Sequence, residues 1–352
     1  MELSNKLIKW YKIHKRDLPW RNTKNPYHIW LSEIILQQTR VVQGLSYYQK
    51  FVKEFPTVKD LALAEDDKVM NLWKGLGYYT RARNLLYTAR YVYNDLNGDF
   101  PNTYVTIKKL KGVGEYTAAA IASFAYDEAQ AVCDGNVKRV VSRLFSIEKA
   151  IDSRDGEKEV KEALLQIFPG EKAALFNQAI MELGALVCAP KSPNCSVCPI
   201  SVHCRAFEQN SVMSFPVKEK KIKVKERFFH FFFITMDNQC LVQKREGKDI
   251  WHSLYQFPLI ESKSFNLEND FKEALSEFGV DTKEVVKVEN KGNIYKHKLT
   301  HQNIVGRFYK VELDKKIKIK GFEWVALVDM HKLALPKLLE NYLNDENIVT
   351  RK

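Results

Sequence analysis

The stretch LKGVGEYTAAAIASF, Leu110 to Phe124, sets Gly112 and Gly114 in a tight turn between two segments of helical apolar spacing. Glycine reaches positive φ without steric cost and lets backbone N–H groups approach a ligand closely. The second segment opens with its amino end toward the turn, where unpaired N–H groups and the helix dipole suit a phosphate oxygen. By itself the pattern fits a plain turn between two helices equally well. Ala118, Ala119 and Ala120 then allow the second helix to pack closely.

Outward from this hairpin, apolar residues recur at three and four as far as about Lys172, as in Leu7–Tyr11, Ile29–Leu36 and Leu85–Val92. That spacing predicts helices, separated by turn signals such as Leu18-Pro19, Asn97-Gly98 and Phe168-Pro169-Gly170. After Arg227 the pattern changes. RFFHFFFITM (227–236), QCLVQKRE (239–246) and NIVGRFYKVEL (303–313) are rich in β-branched and aromatic residues, while FKEALSEFG and PKLLENYL read as helices. The expectation is a multidomain chain: an all-α domain over 1–206, a basic connector over 207–227 and an α+β domain over 228–347.

Among the 352 residues, Lys and Arg outnumber Asp and Glu by 55 to 43, a net charge of +12 that suits a polyanionic partner. No stretch approaches the roughly 20 apolar residues of a membrane span, and the amino terminus lacks an apolar signal core. A cytoplasmic, nucleoid-associated protein of bacterial type is expected, acting as a monomer. Four of the six cysteines fall at Cys188, Cys195, Cys198 and Cys204, spaced C-x6-C-x2-C-x5-C. In a protein that is not exported, such clustering favours metal over disulfides, and four soft thiolates suit a [4Fe-4S] cluster better than paired-unit zinc.

Two carboxyls stand in informative places. Glu33, in PYHIWLSEIILQQTR, has Ile29, Trp30 and Leu36 as its helical neighbours and so lies on an apolar stripe. Burial there would raise its pKa and keep a proton available for general acid catalysis; a buried Glu paired with Arg is the plainer alternative. Asp134, in AVCDGNVKRVVSRLF, precedes a helical pattern and reads as an N-cap, a position that favours the ionised form. One protonated and one ionised carboxyl is the usual division for expelling a leaving group through a cationic sugar.

These segments, in order, resemble the helix-hairpin-helix DNA glycosylases with a carboxy-terminal iron-sulphur loop, and among them the A/G-specific adenine glycosylases of the MutY family. The resemblance rests on LPWR (18–21), WLSEIILQQTRV (30–41), LWKGLGYYTRARNL (72–85), the 110–124 hairpin, DGNVKRV (134–140), FNQAIMELGALVC (176–188) and the 188–204 cysteines. It implies that a flipped adenine is protonated by Glu33 while Asp134 stabilises the sugar cation, with Tyr116 and Asn136 supporting the pair. Trp20, Arg21 and Gln178 match the adenine pocket. Gln38, Thr39, Leu76, Gly77 and Tyr78 match residues that enter the duplex beside the opposite base, and Gly112 and Gly114 the phosphate-binding hairpin.

The related endonuclease III group carries a Schiff-base Lys where this chain has Tyr116, so the resemblance implies base removal without an efficient lyase step. It also implies a Nudix-like second domain that recognises 8-oxoguanine opposite adenine, with Leu299, Thr300 and His301 at the tip that is usually Phe-Ser-His. The GX5EX7REUXEEXGU box of nucleotide hydrolases is absent between Ile250–Pro258 and the helix at Phe271, so no nucleotide hydrolysis is expected. The alternatives are a thymine or pyrimidine glycosylase on the same scaffold and a non-catalytic iron-sulphur DNA-binding protein.

Overall fold

The computed structural model describes residues 2–219, 224–247, 249–265, 271–290 and 292–348. The chain forms two compact units, one of Met1–Ala64 with Arg83–Lys221, the other of Glu65–Ala82 with Ile222–Lys352.

The helices are α1 (Glu2–His14), α2 (Pro26–Leu36), α3 (Val41–Glu54), α4 (Val58–Ala62), α5 (Asp66–Leu72), α6 (Thr80–Asp95) and α7 (Tyr104–Ile107). They continue as α8 (Glu115–Tyr126), α9 (Gly135–Phe145), α10 (Arg154–Ile167), α11 (Ala173–Leu186) and α12 (Arg205–Glu208). The first unit is helical, as its periodicity predicts. Pro26 occupies the first turn of α2, where it forfeits no helical hydrogen bond, and the Asn25 side chain caps that turn by accepting from the Tyr27 N–H at 2.9 Å. Eight residues of α2 are buried, so it runs through the interior rather than along one face. Against it packs α8, in which Ala118, Ala119 and Ala120 are all buried. A second core joins α1, α9, α10 and α11 through Leu7, Tyr11, Val140, Leu144, Phe176 and Leu183.

The second unit is built on a sheet of β1 (Lys225–Met236), β2 (Gln239–Lys244), β3 (Tyr255–Gln256), β4 (Leu259–Ser262), β5 (Val285–Glu289), β6 (Ile294–Lys298), β7 (Gln302–Leu313) and β8 (Glu323–Ala326). Its two long strands, β1 and β7, run parallel from Lys225↔Gln302 to Thr235↔Glu312. Both faces of β1 are covered, which explains a sequence that is continuously apolar rather than alternating. Phe232 and Ile234 pack on one side with Ala274 and Leu275 of α13 (Phe271–Glu277). On the other, Phe233 meets Tyr342 of α14 (Lys337–Asp345) edge-on, and Tyr342 stacks on Phe308 with ring centroids 4.0 Å apart. Gly306 on β7 permits this approach, since a Cβ there would lie 2.9 Å from Leu338 Cδ2.

Residues 65–82 belong to this second unit although they are read from sequence as part of the helical domain. Polar contacts explain the attachment: Lys244 pairs with Asp67 at 2.6 Å, Lys74 with Glu340 at 2.7 Å, and the Asn71 amide donates to the Lys332 carbonyl at 3.0 Å.

Candidate active site

Interior helix α2 carries Glu33 into the core, where only 6% of the residue is exposed. Tyr116, in the first turn of α8, donates its hydroxyl to Glu33 Oε2 at 2.8 Å. Burial pushes the Glu33 carboxyl up to about 7; the Tyr116 hydrogen bond opposes the rise and the negative charge of Asp134 adds to it. A carboxyl so placed is partly protonated near neutral pH, the state a general acid needs. Substituting Tyr116→Phe should therefore raise the Glu33 pKa, moving the alkaline limb of a single-turnover pH–rate profile upward by a few tenths of a unit or more. An unmoved limb would separate Tyr116 from the acid.

Asp134 caps α9. Its Oδ1 accepts from the Val137 N–H at 2.7 Å and its Oδ2 from the Asn136 amide at 2.8 Å. These bonds favour the anion, as the cap position leads one to expect. Burial outweighs them, and the Asp134 pKa lies above its ordinary value rather than below it. The asymmetry between the two carboxyls survives, because both Asp134 oxygens already accept N–H groups while Glu33 has a single hydroxyl donor on one oxygen. Asn136 is itself fixed, accepting from Arg139 Nη2 at 2.9 Å, while the same guanidinium donates to the Gly184 carbonyl at 2.7 Å and the Cys188 carbonyl at 2.8 Å. Helix α11 passes so near that a Cβ on Gly184 would lie 2.7 Å from Asn136 Cβ.

Two of the residues matched to an adenine pocket, Arg21 and Gln178, are tied to a charged clamp. Arg21 and Arg16 both fork onto Glu182 of α11, Arg21 at 2.9 and 2.6 Å and Arg16 at 2.9 and 2.6 Å, and the Arg16 backbone N–H adds a bond of 2.8 Å. Arg21 also lies 5.6 Å from the centre of the Tyr11 ring, whose hydroxyl donates to Gln178 at 2.6 Å. Trp20 is buried and meets Tyr48 edge-on. Glu182 and Arg16 are absent from the sequence expectations, although Glu182 lies inside FNQAIMELGALVC and Arg16 just before LPWR; Arg139 lies inside DGNVKRV and was likewise missed.

Gln38 is exposed and holds a left-handed φ of 55°, beside a partly buried Thr39 whose backbone N–H donates to the Leu36 carbonyl. In the second unit, Gly75, Gly77 and Tyr78 have φ of 94°, 70° and 47°, and Tyr78 is 47% exposed. Trp73 and Arg81 brace this turn by donating to the Gly77 carbonyl at 3.0 and 3.2 Å. Left-handed backbone at the non-glycine Tyr78 is strained and persists only where such bracing holds it. Leu76, by contrast, is buried. The Tyr78 hydroxyl is hydrogen-bonded to Thr300, so this turn and the Leu299-Thr300-His301 tip between β6 and β7 are directly joined. At the hairpin, Gly112 has φ of 81° and a Cβ there would lie 2.7 Å from Asn84 Cβ, while Gly114 is the N-cap of α8.

Cys188, Cys195, Cys198 and Cys204 are free thiols lining one apolar pocket. Among the described residues no group of three or more His, Cys, Asp or Glu is gathered so as to hold a metal ion. The donor chemistry nonetheless fits an iron-sulphur group: four soft ligands, an apolar wall, and the buried Arg143 guanidinium 3.3 Å from Cys188 Sγ to offset anionic charge.

Residues 31–169 match the HhH-GPD superfamily of base excision DNA repair proteins, and residues 230–345 match the NUDIX domain. The adenine DNA glycosylase of Buchnera aphidicola subsp. Baizongia pistaciae (strain Bp) is 37% identical over 297 residues, covering 84% of this chain and 82% of that one. The chain belongs to the adenine DNA glycosylase family. A second member, from Buchnera aphidicola subsp. Schizaphis graminum (strain Sg), is 31% identical over 97% of both chains. The structure of a thermostable thymine-DNA glycosylase superposes with a TM-score of 0.52 at 30% identity, covering 58% of this chain and 95% of that one. The helical domain with a carboxy-terminal Nudix domain is thus the architecture the sequence predicts, and DNA is the partner of this adenine DNA glycosylase family member.

Proposed function

We propose that this enzyme hydrolyses the N-glycosidic bond of adenine mispaired with 8-oxoguanine or guanine in duplex DNA. The observation that carries the reading is the buried Glu33, raised to about 7 with Tyr116 on one oxygen and under the charge of Asp134. Adenine leaves the base stack and enters the pocket near Trp20, Arg21 and Gln178. Glu33 gives its proton to N7 as the bond to C1′ breaks, so the bonding pair leaves with a neutral base. Asp134 offsets the cationic sugar, and water adds its hydroxyl at C1′ while its other proton passes to the Glu33 carboxylate, restoring the acid. With a phenol rather than an amine at Tyr116, the product is an abasic site.

Gln38 and Tyr78 carry strained backbone at exposed positions, which supports their entry into the duplex; the buried Leu76 would have to move to join them. The link from Tyr78 to Thr300 supports a shared role in reading the opposite base. Cys188, Cys195, Cys198 and Cys204 would hold a [4Fe-4S] cluster, which supplies a rigid, redox-capable tie across the loop. Protein purified anaerobically should be brown, with about four irons per chain; a colourless, iron-free and active preparation would reject the cluster.

The function is tested with duplexes bearing adenine opposite 8-oxoguanine, guanine, cytosine or thymine, with and without alkali. Strand cleavage at adenine only after alkali, fastest opposite 8-oxoguanine, is expected. Excision of thymine instead, or cleavage without alkali, would overturn the reading.

A further inference from the structure

Arg227 of β1 is the most heavily bonded cation in the second unit's described ion pairs. Its residue exposure is 9%. Nε and Nη2 fork onto Glu261 of β4 at 2.7 and 2.6 Å, and Nη1 and Nη2 fork onto Asp249 at 2.9 and 2.7 Å. The remaining Nη1 hydrogen goes to Gln302 Oε1 at 3.1 Å. All five guanidinium donors are thereby used, and the ring of Phe229 lies 4.8 Å away. Arg245 adds a second cation, donating to Asp249 at 3.0 Å and Gln256 at 2.6 Å, so two guanidiniums face two carboxylates.

The location matters more than the saturation. Gln302 directly follows His301 and closes the tip through its carbonyl, which accepts from the Leu299 N–H at 2.8 Å. The Lys225 N–H holds the His301 carbonyl at 3.0 Å two residues before Arg227. Asp249 directly precedes the Ile250–Pro258 segment. A short turn has few contacts of its own, and side chains that must meet a base with hydrogen-bond precision need a rigid base beneath them. Lysine could not substitute, since one ammonium cannot make two bidentate forks and a fifth bond.

We propose that Arg227 is a positioning residue for reading the opposite base, fixing the Leu299-Thr300-His301 tip through Gln302. This rests on the assignment of that tip to 8-oxoguanine recognition. It requires that loosening the Arg227–Gln302 link blur the distinction between 8-oxoguanine and guanine without slowing the chemistry opposite guanine.

Single-turnover adenine release opposite 8-oxoguanine and opposite guanine is to be compared in the full-length holoenzyme and in Arg227→Lys, Gln302→Met and Gln302→Glu. Gln302→Met removes only the acceptor at the tip and leaves the buried ion pairs intact, so it stays informative should Arg227→Lys fold poorly. The expected result is a fall of about tenfold in the 8-oxoguanine-to-guanine rate ratio for Arg227→Lys and Gln302→Met, with the guanine rate held. Gln302→Glu, which keeps an acceptor, should retain most of the ratio. Parallel loss of both rates in Gln302→Met would reveal a purely structural role and overturn the proposal. A ratio that survives Arg227→Lys and Gln302→Met but is lost in Thr300→Ala would overturn the proposal alone. Absence of any 8-oxoguanine preference in the unsubstituted enzyme would overturn the assignment of the tip, and the proposal with it.

Discussion

Replacing Glu33 by Gln is expected to stop adenine release while leaving duplex binding intact. The amide keeps the shape and still accepts the Tyr116 hydroxyl, but it has no proton to give. A general acid contributes roughly 10² to 10⁴ in rate, so single-turnover excision should fall by about a thousandfold or more. Binding to uncleaved duplex should persist, because affinity for DNA is dominated by phosphate contacts rather than by a proton donor buried in the core. The same change should stabilise the protein at alkaline pH. Glu33 titrates at about 7 in the folded chain against an ordinary value of 4.5, so its burial costs nothing below about pH 4.5 and reaches full cost above 7. Removing that charge should add about 3 kcal/mol at pH 8, vanishing near pH 4.5, as measured by denaturant unfolding. Equal stability of the two proteins across this range would mean that Glu33 carries no such penalty.

The second large effect concerns the clamp. Glu182→Gln should destabilise the protein by about 3 kcal/mol at neutral pH, because it leaves Arg16 and Arg21 facing a neutral acceptor in a largely buried site. Burial by itself would raise the Glu182 pKa, but the hydrogen bonds from Arg21 and Arg16 outweigh it and hold the group at about 2. A depressed carboxyl contributes stability that is complete above about pH 4.5 and is lost as pH falls toward 2. The difference between parent and variant should therefore shrink on acidification through that window. Adenine release should slow as well, since Arg21, Tyr11 and Gln178 are positioned through the same clamp. Unchanged unfolding at neutral pH would show the clamp to be energetically idle.

What was legible in the sequence follows a physical line. Glu33 could be singled out because it sits on an apolar helical stripe, whereas Tyr116 stood out only through the resemblance, as the position that carries a lysine in the endonuclease III group. The long apolar run of β1 announced a strand by its local pattern. The clamp was not legible, since Arg16 and Arg21 meet Glu182 more than 160 residues away and no local spacing encodes the pairing. Nor was the membership of Glu65–Ala82 in the second unit, which depends on pairs such as Lys244 with Asp67, separated by 177 positions. Asp134 shows a third kind of limit. Its cap bonds are local and were foreseen, whereas the burial that overrides them is set by the tertiary fold.

These limits leave the chemistry resting on one protonated carboxyl. The most direct measurement is single-turnover adenine release from a duplex with adenine opposite 8-oxoguanine, followed from about pH 5 to about pH 9. With Glu33 at about 7, the rate should hold at the lower end and then fall about tenfold per unit above neutrality. A rate that rises through neutral pH, or no adenine released at any pH, would contradict Glu33 as the acid.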